Sequence, residues 1–264
     1  MLSFGLWTTT AEAAVLWFAG SETGTLLDEW TSPISGSSCG VFNSQQRSGQ
    51  WALHCNGTVH QASKKGLNLG TAYLRTYYYL AAQSAVTDSV VVEAFSSTNV
   101  AQLVVKVDKT THVLKYQYQN GATLATGTLP LSVATATYYL VEMKFVNAAG
   151  TGGMELKIDN AVQFSDFTQT TNGAGNIDYF LFGQAESGTQ ARHDDVLLSD
   201  SAYPGAGRNL ARQGKAGSPT YTAWTKNSCT SSLIENCWSA TPFVAGTPNA
   251  SSSTPADAQT MLVA

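Results

Sequence analysis

Charge is what this sequence has least of: Asp, Glu, Lys and Arg make up 12% of its 264 residues, about half the usual share of a soluble domain. With 14 basic against 18 acidic residues the formal charge is −4. No cationic surplus exists to neutralise a phosphate backbone, and nucleic acid is excluded as a main partner. Long apolar runs are missing too. Nothing approaches the ~18 to 20 uninterrupted apolar residues of a membrane span, so no membrane partner is expected. No Lys or Arg precedes the apolar residues at the start of the chain, and Glu12 follows soon after. The basic opening of a signal peptide is therefore lacking, and no export is expected from this segment. What is present is a 43% hydrophobic share, enough to bury a core and contrary to the composition of disordered chains.

Helix formers are scarce, whereas Thr, Val, Tyr and Ser are abundant and 23 glycines punctuate the chain. That bias favours strands and turns. In residues 71–80 one face carries Ala72, Leu74, Thr76, Tyr78 and Leu80 and the other Tyr73, Arg75, Tyr77 and Tyr79, a period of two with no helical stripe. Residues 89–95, 101–108, 112–118, 138–146, 154–158, 179–182 and 195–198 read the same way. Turn signals lie between them: Asp108-Lys109, Asn120-Gly121, the glycine-rich 149–153 and Asp159-Asn160. Many short strands joined by hairpin turns predict an antiparallel sandwich or jelly roll. Residues 8–16 are open between a short helix and an added strand.

Composition shifts after Asp200. Five of the seven prolines, Pro204, Pro219, Pro242, Pro248 and Pro255, lie beyond it, and the large apolar residues there show no sustained period. Three parts follow: an N-terminal segment 1–14, a β-domain 15–200 and an extended, mostly irregular C-terminal arm 201–264. The arm ends in a Ser/Thr/Ala-rich tail whose Met261-Leu262-Val263-Ala264 reads as the start of a strand. Its aromatics Tyr221, Trp224, Trp238 and Phe243 are expected to bury partly against another subunit, because rings of that size do not stay in water unpaired.

The four cysteines sort by geometry. If Arg47-Ser48-Gly49 turns a hairpin centred near residue 47, Cys39 lies opposite Cys55, at a cross-strand separation suited to a disulfide. Cys229 and Cys237, eight apart, could close a small ring. Free buried thiols remain the alternative, and no Cys-x-x-Cys pair points to zinc.

Taken in order, residues 19–24, Asp28-Glu29-Trp30, 47–53, 73–77, 141–145 with 154–160, and 193–198 resemble a concanavalin A-like (laminin G-like) jelly roll. The continuation, Pro204-Gly-Ala-Gly207 and Thr222-Ala-Trp224 through Trp238, resembles the tail that follows such a domain in structural proteins of tailed bacteriophages. This resemblance implies an all-β, antiparallel jelly-roll sandwich. It also implies a non-catalytic virion structural protein on the particle surface, either capsid decoration or tail-fibre component, partnered by other virion proteins in a homo-oligomer, with a trimer as the guess. Fold-level analogy does not fix function. Two other classes stand beside it: a carbohydrate-binding adhesin or lectin gripping a host-surface glycan, and an unusual glycosidase.

Each class makes a demand on side-chain chemistry. A glycosidase needs two carboxylates ~5 to 10 Å apart, which glucanases of this fold supply as Glu-x-Asp-x-x-Glu. No such run occurs. Glu142 is followed at alternate positions by Lys144 and Val146, and Glu155 by Lys157 and Asp159, so both acids read as solvent-face charges and no enzyme is expected. Asp194-Asp195 beside His193 is the candidate metal site, with Ca2+ the ion that carboxylate oxygens suit. The same doublet also fits a structural role, and no other cofactor is expected. His54, His60, His112 and His193 share no metal-binding spacing and read as half-buried strand residues. Tyr77, Tyr78 and Tyr79 must divide between core and surface, and no ring is assigned to a sugar.

Overall fold

The computed structural model describes residues 15–21, 26, 29–33, 39–48, 51–56, 62–83, 86–121, 123–183, 190–205, 224–227 and 249–252. The strands, in chain order, are β1 (Val15–Ala19), β2 (Ser32–Pro33), β3 (Cys39–Phe42), β4 (Ala52–Asn56), β5 (Ala62–Lys64), β6 (Thr71–Ala82), β7 (Ser89–Ser96), β8 (Ala101–Val107) and β9 (Val113–Asn120). They continue with β10 (Thr123–Ser132), β11 (Tyr138–Val146), β12 (Gly152–Ile158), β13 (Ala161–Gln169), β14 (Ile177–Phe182), β15 (Gln190–Ser199), β16 (Trp224–Asn227) and β17 (Asn249–Ser252). Helical conformation among the described residues is confined to 3-10 turns, at Leu26 and at Asn172–Ala174.

Two antiparallel sheets face each other. The larger runs β13-β12-β11-β6-β15-β4-β3, with β1 paired to the far half of β15, and the smaller runs β10-β9-β8-β7-β14-β5-β2. This is the jelly-roll sandwich expected from the period-two patterning. Every second residue of each strand enters the space between the sheets: Leu74, Tyr78 and Leu80 from β6, Val141, Met143 and Phe145 from β11, Leu103 and Val105 from β8, Phe180 and Phe182 from β14. Burial of this kind contributes about 25 cal/mol per Å² of apolar surface and is the main stabilising force. Trp17, Trp30 and Phe182 close one part of the core, with Trp17 and Trp30 edge to face at 4.9 Å between ring centroids.

Several turns follow the sequence signals. Asp159 and Asn160 both adopt positive φ, 50° and 68°, the geometry that a two-residue hairpin demands and that Asp and Asn tolerate. The β3–β4 hairpin has the expected centre, pairing Cys39 with Cys55 and Gly40 with His54, and the two cysteines are joined by a disulfide. Of residues 8–16, Val15 and Leu16 are described and begin β1; residues 8–14 lie outside the described residues. Of the arm, residues 201–205 and the isolated pair β16–β17 are described. Cys229, Cys237, Tyr221, Trp238 and Phe243 lie outside the described residues, and for Trp224 only its strand pairing with Ser252 is defined.

Candidate functional site

The face of the larger sheet turned away from the core carries the polar and aromatic half of each alternation. Cross-strand register assembles a row there: His54 of β4 stands opposite Arg192 of β15, Arg192 opposite Tyr79 of β6, and Tyr79 opposite Tyr138 of β11. Successive rows hold Asp194, Tyr77 and Leu140; then Leu197, Arg75, Glu142 and Lys157; then Ser199, Tyr73, Lys144 and Glu155. These residues come from segments far apart in the chain, so nothing in the local sequence announced the first row. Tyr78, between Tyr77 and Tyr79, points into the core, where its hydroxyl bonds the Ser89 hydroxyl at 2.8 Å.

The first row is enclosed. His54, Arg192 and Tyr79 are each under 9% exposed. Both ring nitrogens of His54 and Nη1 of Arg192 lack a hydrogen-bond partner among the described residues, as does Nη2 of Arg75 two rows away. An unpaired buried polar group costs ~1 to 3 kcal/mol. Four such atoms on one face need a reason. Burial, and then the Arg192 charge, pull the His54 pKa down to about 4, which keeps its imidazole neutral near pH 7. Phe42 packs edge to face on that ring, 4.8 Å between centroids. Burial likewise raises the Tyr138 hydroxyl above its usual range, with Asp194 adding to it, so the phenol keeps its proton.

A roof lies over this row. It is the strap of residues 43–48, the turn of the β3–β4 hairpin. Arg192 Nε donates to the Ser44 carbonyl at 3.3 Å and the Tyr138 hydroxyl to the Gln45 carbonyl at 2.5 Å. At its other end Arg47 lies 3.4 Å over the Tyr77 ring.

The acidic doublet anchors the strap. Register slips between Asp194 and Leu197, and Asp195 adopts φ +47°, a bulge that delivers both carboxylates to one side. Asp194 Oδ2 accepts the backbone N–H groups of Arg47 and Ser48 at 2.8 and 3.1 Å. Asp195 accepts Arg47 Nη1 at 2.7 Å and the Ser48 hydroxyl. The candidate calcium ligands are thus occupied by protein donors, and no group of three or more His, Cys, Asp or Glu side chains fit for a metal occurs among the described residues.

Two sequence readings require correction. Glu142 is not a solvent-face charge: it is 3% exposed, because residues 201–205 cross the outer face and the Gly205 N–H donates to Glu142 Oε1 at 2.9 Å. The same segment places the Gly205 carbonyl on Arg75 Nη1 and the Tyr203 hydroxyl on Glu155 Oε1, each at 2.8 Å. Nor are His54 and His193 half-buried surface residues. His193 is wholly buried, wedged between Tyr78 and Phe182 with Nδ1 3.1 Å from the Thr76 hydroxyl.

No family model and no curated protein matches the chain. Solved structures do. An endo-β-1,4-glucuronan lyase from the fungus Trichoderma reesei superposes with a TM-score of 0.59 at 11% identity, over 71% of this chain and 96% of that one. A cellulose-induced protein, Cip1, superposes at 0.53 and 14% identity, over 72% and 99%. A sialidase does so at 0.51 and 11% identity, over 72% of this chain and 18% of its own. At such identity the likeness shows the fold. It nonetheless overturns the expectation of a non-catalytic virion component: no phage particle protein is among these three, one of which is named a glucuronan lyase and another a sialidase. The argument against an enzyme also rested on a glycosidase's carboxylate pair, which a lyase does not need. The jelly roll is retained and the virion reading is withdrawn.

Proposed function

We propose that the outer face of the larger sheet binds an acidic polysaccharide and cleaves it by β-elimination next to a uronate. The observation that carries this reading is the set of buried polar atoms in the first row without partners among the described residues, both ring nitrogens of His54, one a donor and one an acceptor in the neutral ring, and Nη1 of Arg192, flanked by two tyrosines. A uronate supplies both counterparts, a carboxylate for the N–H donors and a C5–H for the acceptor nitrogen. Bidentate guanidinium–carboxylate pairing suits Arg192, and neutralising the carboxylate makes the adjacent C5–H acidic. A neutral imidazole, the state that burial imposes on His54, accepts that proton. The C4–O4 bond then breaks as the C4–C5 double bond forms, and the Tyr138 hydroxyl protonates the departing oxygen. His54 returns its proton to solvent and Tyr138 is reprotonated. A bound carboxylate also opposes the Arg192 charge beside His54, raising the imidazole pKa toward the range where a base works best. Tyr79 offers a ring for stacking along the row. The glucuronan lyase of the same fold supports a uronate polymer as substrate.

The test is incubation with polyglucuronate and polymannuronate while following the ultraviolet absorbance of the unsaturated uronate product. Turnover that is lost in His54→Leu and Arg192→Leu is expected. Binding without unsaturated product would remove the elimination and leave a saccharide-binding face. Neither binding nor turnover with any uronate polymer would remove the reading altogether.

A further inference from the structure

The strap over the first row makes a particular kind of contact. Its tip touches the row through two main-chain carbonyl oxygens, Ser44 on Arg192 Nε and Gln45 on the Tyr138 hydroxyl. These are the donors that the reading above assigns to the saccharide, one to its carboxylate and one to its leaving oxygen. Phe42 and residues 43–46 are exposed, so the tip is held by these polar contacts more than by burial. Its anchor differs: Arg47 and Ser48 are tied to Asp194 and Asp195 by backbone and side-chain bonds. The tip also carries a conformational cost, since Gln45 sits at φ +57°, where a side chain crowds its own carbonyl.

We infer that the tip of the strap, residues 43–46, is an autoinhibitory closure whose carbonyl oxygens stand in for substrate oxygens, and that an acidic saccharide must displace it to reach His54 and Arg192. The inference rests on the proposed saccharide site. Closure is cheap to reverse: two hydrogen bonds, one exposed and one part-buried, are exchanged for two equivalent bonds to the saccharide, and the strained Gln45 is released. The anchor stays in place through Asp194 and Asp195, so only the tip swings. Apparent affinity then equals the intrinsic affinity multiplied by the fraction of molecules with the tip open.

Substitutions at Gln45 separate the two states without touching any proposed ligand of the saccharide, because the contact is made by the backbone carbonyl. Gln45→Gly relieves the left-handed strain and favours closure. Gln45→Pro fixes φ near −65° and forbids the closed tip. With a β-1,4-linked glucuronate tetrasaccharide as probe in calorimetry, Gln45→Gly should bind on the order of fivefold more weakly than the native chain and Gln45→Pro at least about fivefold more tightly. Amide exchange over residues 43–46, measured without saccharide, should slow in the glycine variant and quicken in the proline variant. Should the proline variant fold poorly, the glycine variant and its slower exchange decide alone. Equal affinity in the native chain and the folded Gln45 variants, with binding still abolished by His54→Leu, would overturn the closure and leave the saccharide site standing. Absence of binding in the native chain and the variants alike would remove the site and the closure together.

Discussion

His54 illustrates how a single residue can be poor for the fold and suited to chemistry. Its imidazole is nearly inaccessible, its two nitrogens have no partner among the described residues, and its neighbours include the Phe42 ring and the Arg192 guanidinium. A leucine there would keep the volume and discard both unsatisfied atoms. His54→Leu is therefore expected to leave stability unchanged or raise it by up to about 2 kcal/mol, since an orphaned buried polar group is removed, while saccharide turnover disappears. Denaturant unfolding of the variant checks the first half. A loss of more than ~1 kcal/mol would mean that the imidazole holds the fold rather than serving a ligand. Arg75 belongs to a different class. It is almost fully buried, but its Nε and Nη1 donate to the carbonyls of Asp195 and Gly205, so it ties the bulge of β15 to the crossing segment 201–205.

Strands impose requirements that no side chain reveals. The glycine-rich 149–153 reads in sequence as a hairpin turn, and it is one, yet Gly153 has a second duty. Where β13 bulges against β12, a Cβ on Gly153 would lie 1.8 Å from the Asp166 carbonyl oxygen, a backbone atom that cannot swing aside. Gly153→Ala should cost more than ~2 kcal/mol or separate β13 from the sheet, read as a lowered unfolding midpoint; full stability would show that the two strands are not so closely apposed. This contrast explains what was legible. Period-two alternation is local, so β6, β7, β8 and β11 could be read directly, and a hairpin centre near residue 47 implied the Cys39–Cys55 register. Cross-strand neighbours are not local. The row of His54, Arg192, Tyr79 and Tyr138 joins four strands through pairings that depend on the order β11-β6-β15-β4, and each of its members taken alone is an ordinary strand residue. Residues 123–132 and 161–169, with Gly, Pro and Asp inside them, concealed β10 and β13 for a different reason. Both are edge strands, where such residues are tolerated.

At the scale of the whole molecule, three buried titrating groups give stability a characteristic pH dependence. Burial lowers His193 to about 3, and burial with the Arg192 charge lowers His54 to about 4, against 6.5 for a free imidazole. Below pH 6.5 the unfolded chain therefore binds protons that the folded chain refuses, and stability rises with pH across that window. Asp194 acts in the opposite sense. Burial, with the charge of Asp195, pushes it from 3.8 up to about 8, although three backbone N–H groups favour its ionised form. Over that interval the folded chain holds a proton that the unfolded chain has lost, so stability falls as pH rises. From pH 3.8 to 6.5 two histidines outweigh one aspartate; from 6.5 to about 8 Asp194 acts without them. Stability should peak near pH 6.5 and decline toward 8 by at most ~1.4 kcal/mol per pH unit. Asp194→Asn titrates nowhere in this range and keeps an oxygen for the Arg47 and Ser48 amides, so its unfolding free energy should be flat where the native chain declines. Urea unfolding at several pH values on either side of the peak would check this. A native chain that gains stability between pH 6.5 and 8, or an asparagine variant with the same decline, would show that Asp194 is ionised in the fold and that the strap is anchored through an ionised Asp194 beside the Arg47 guanidinium.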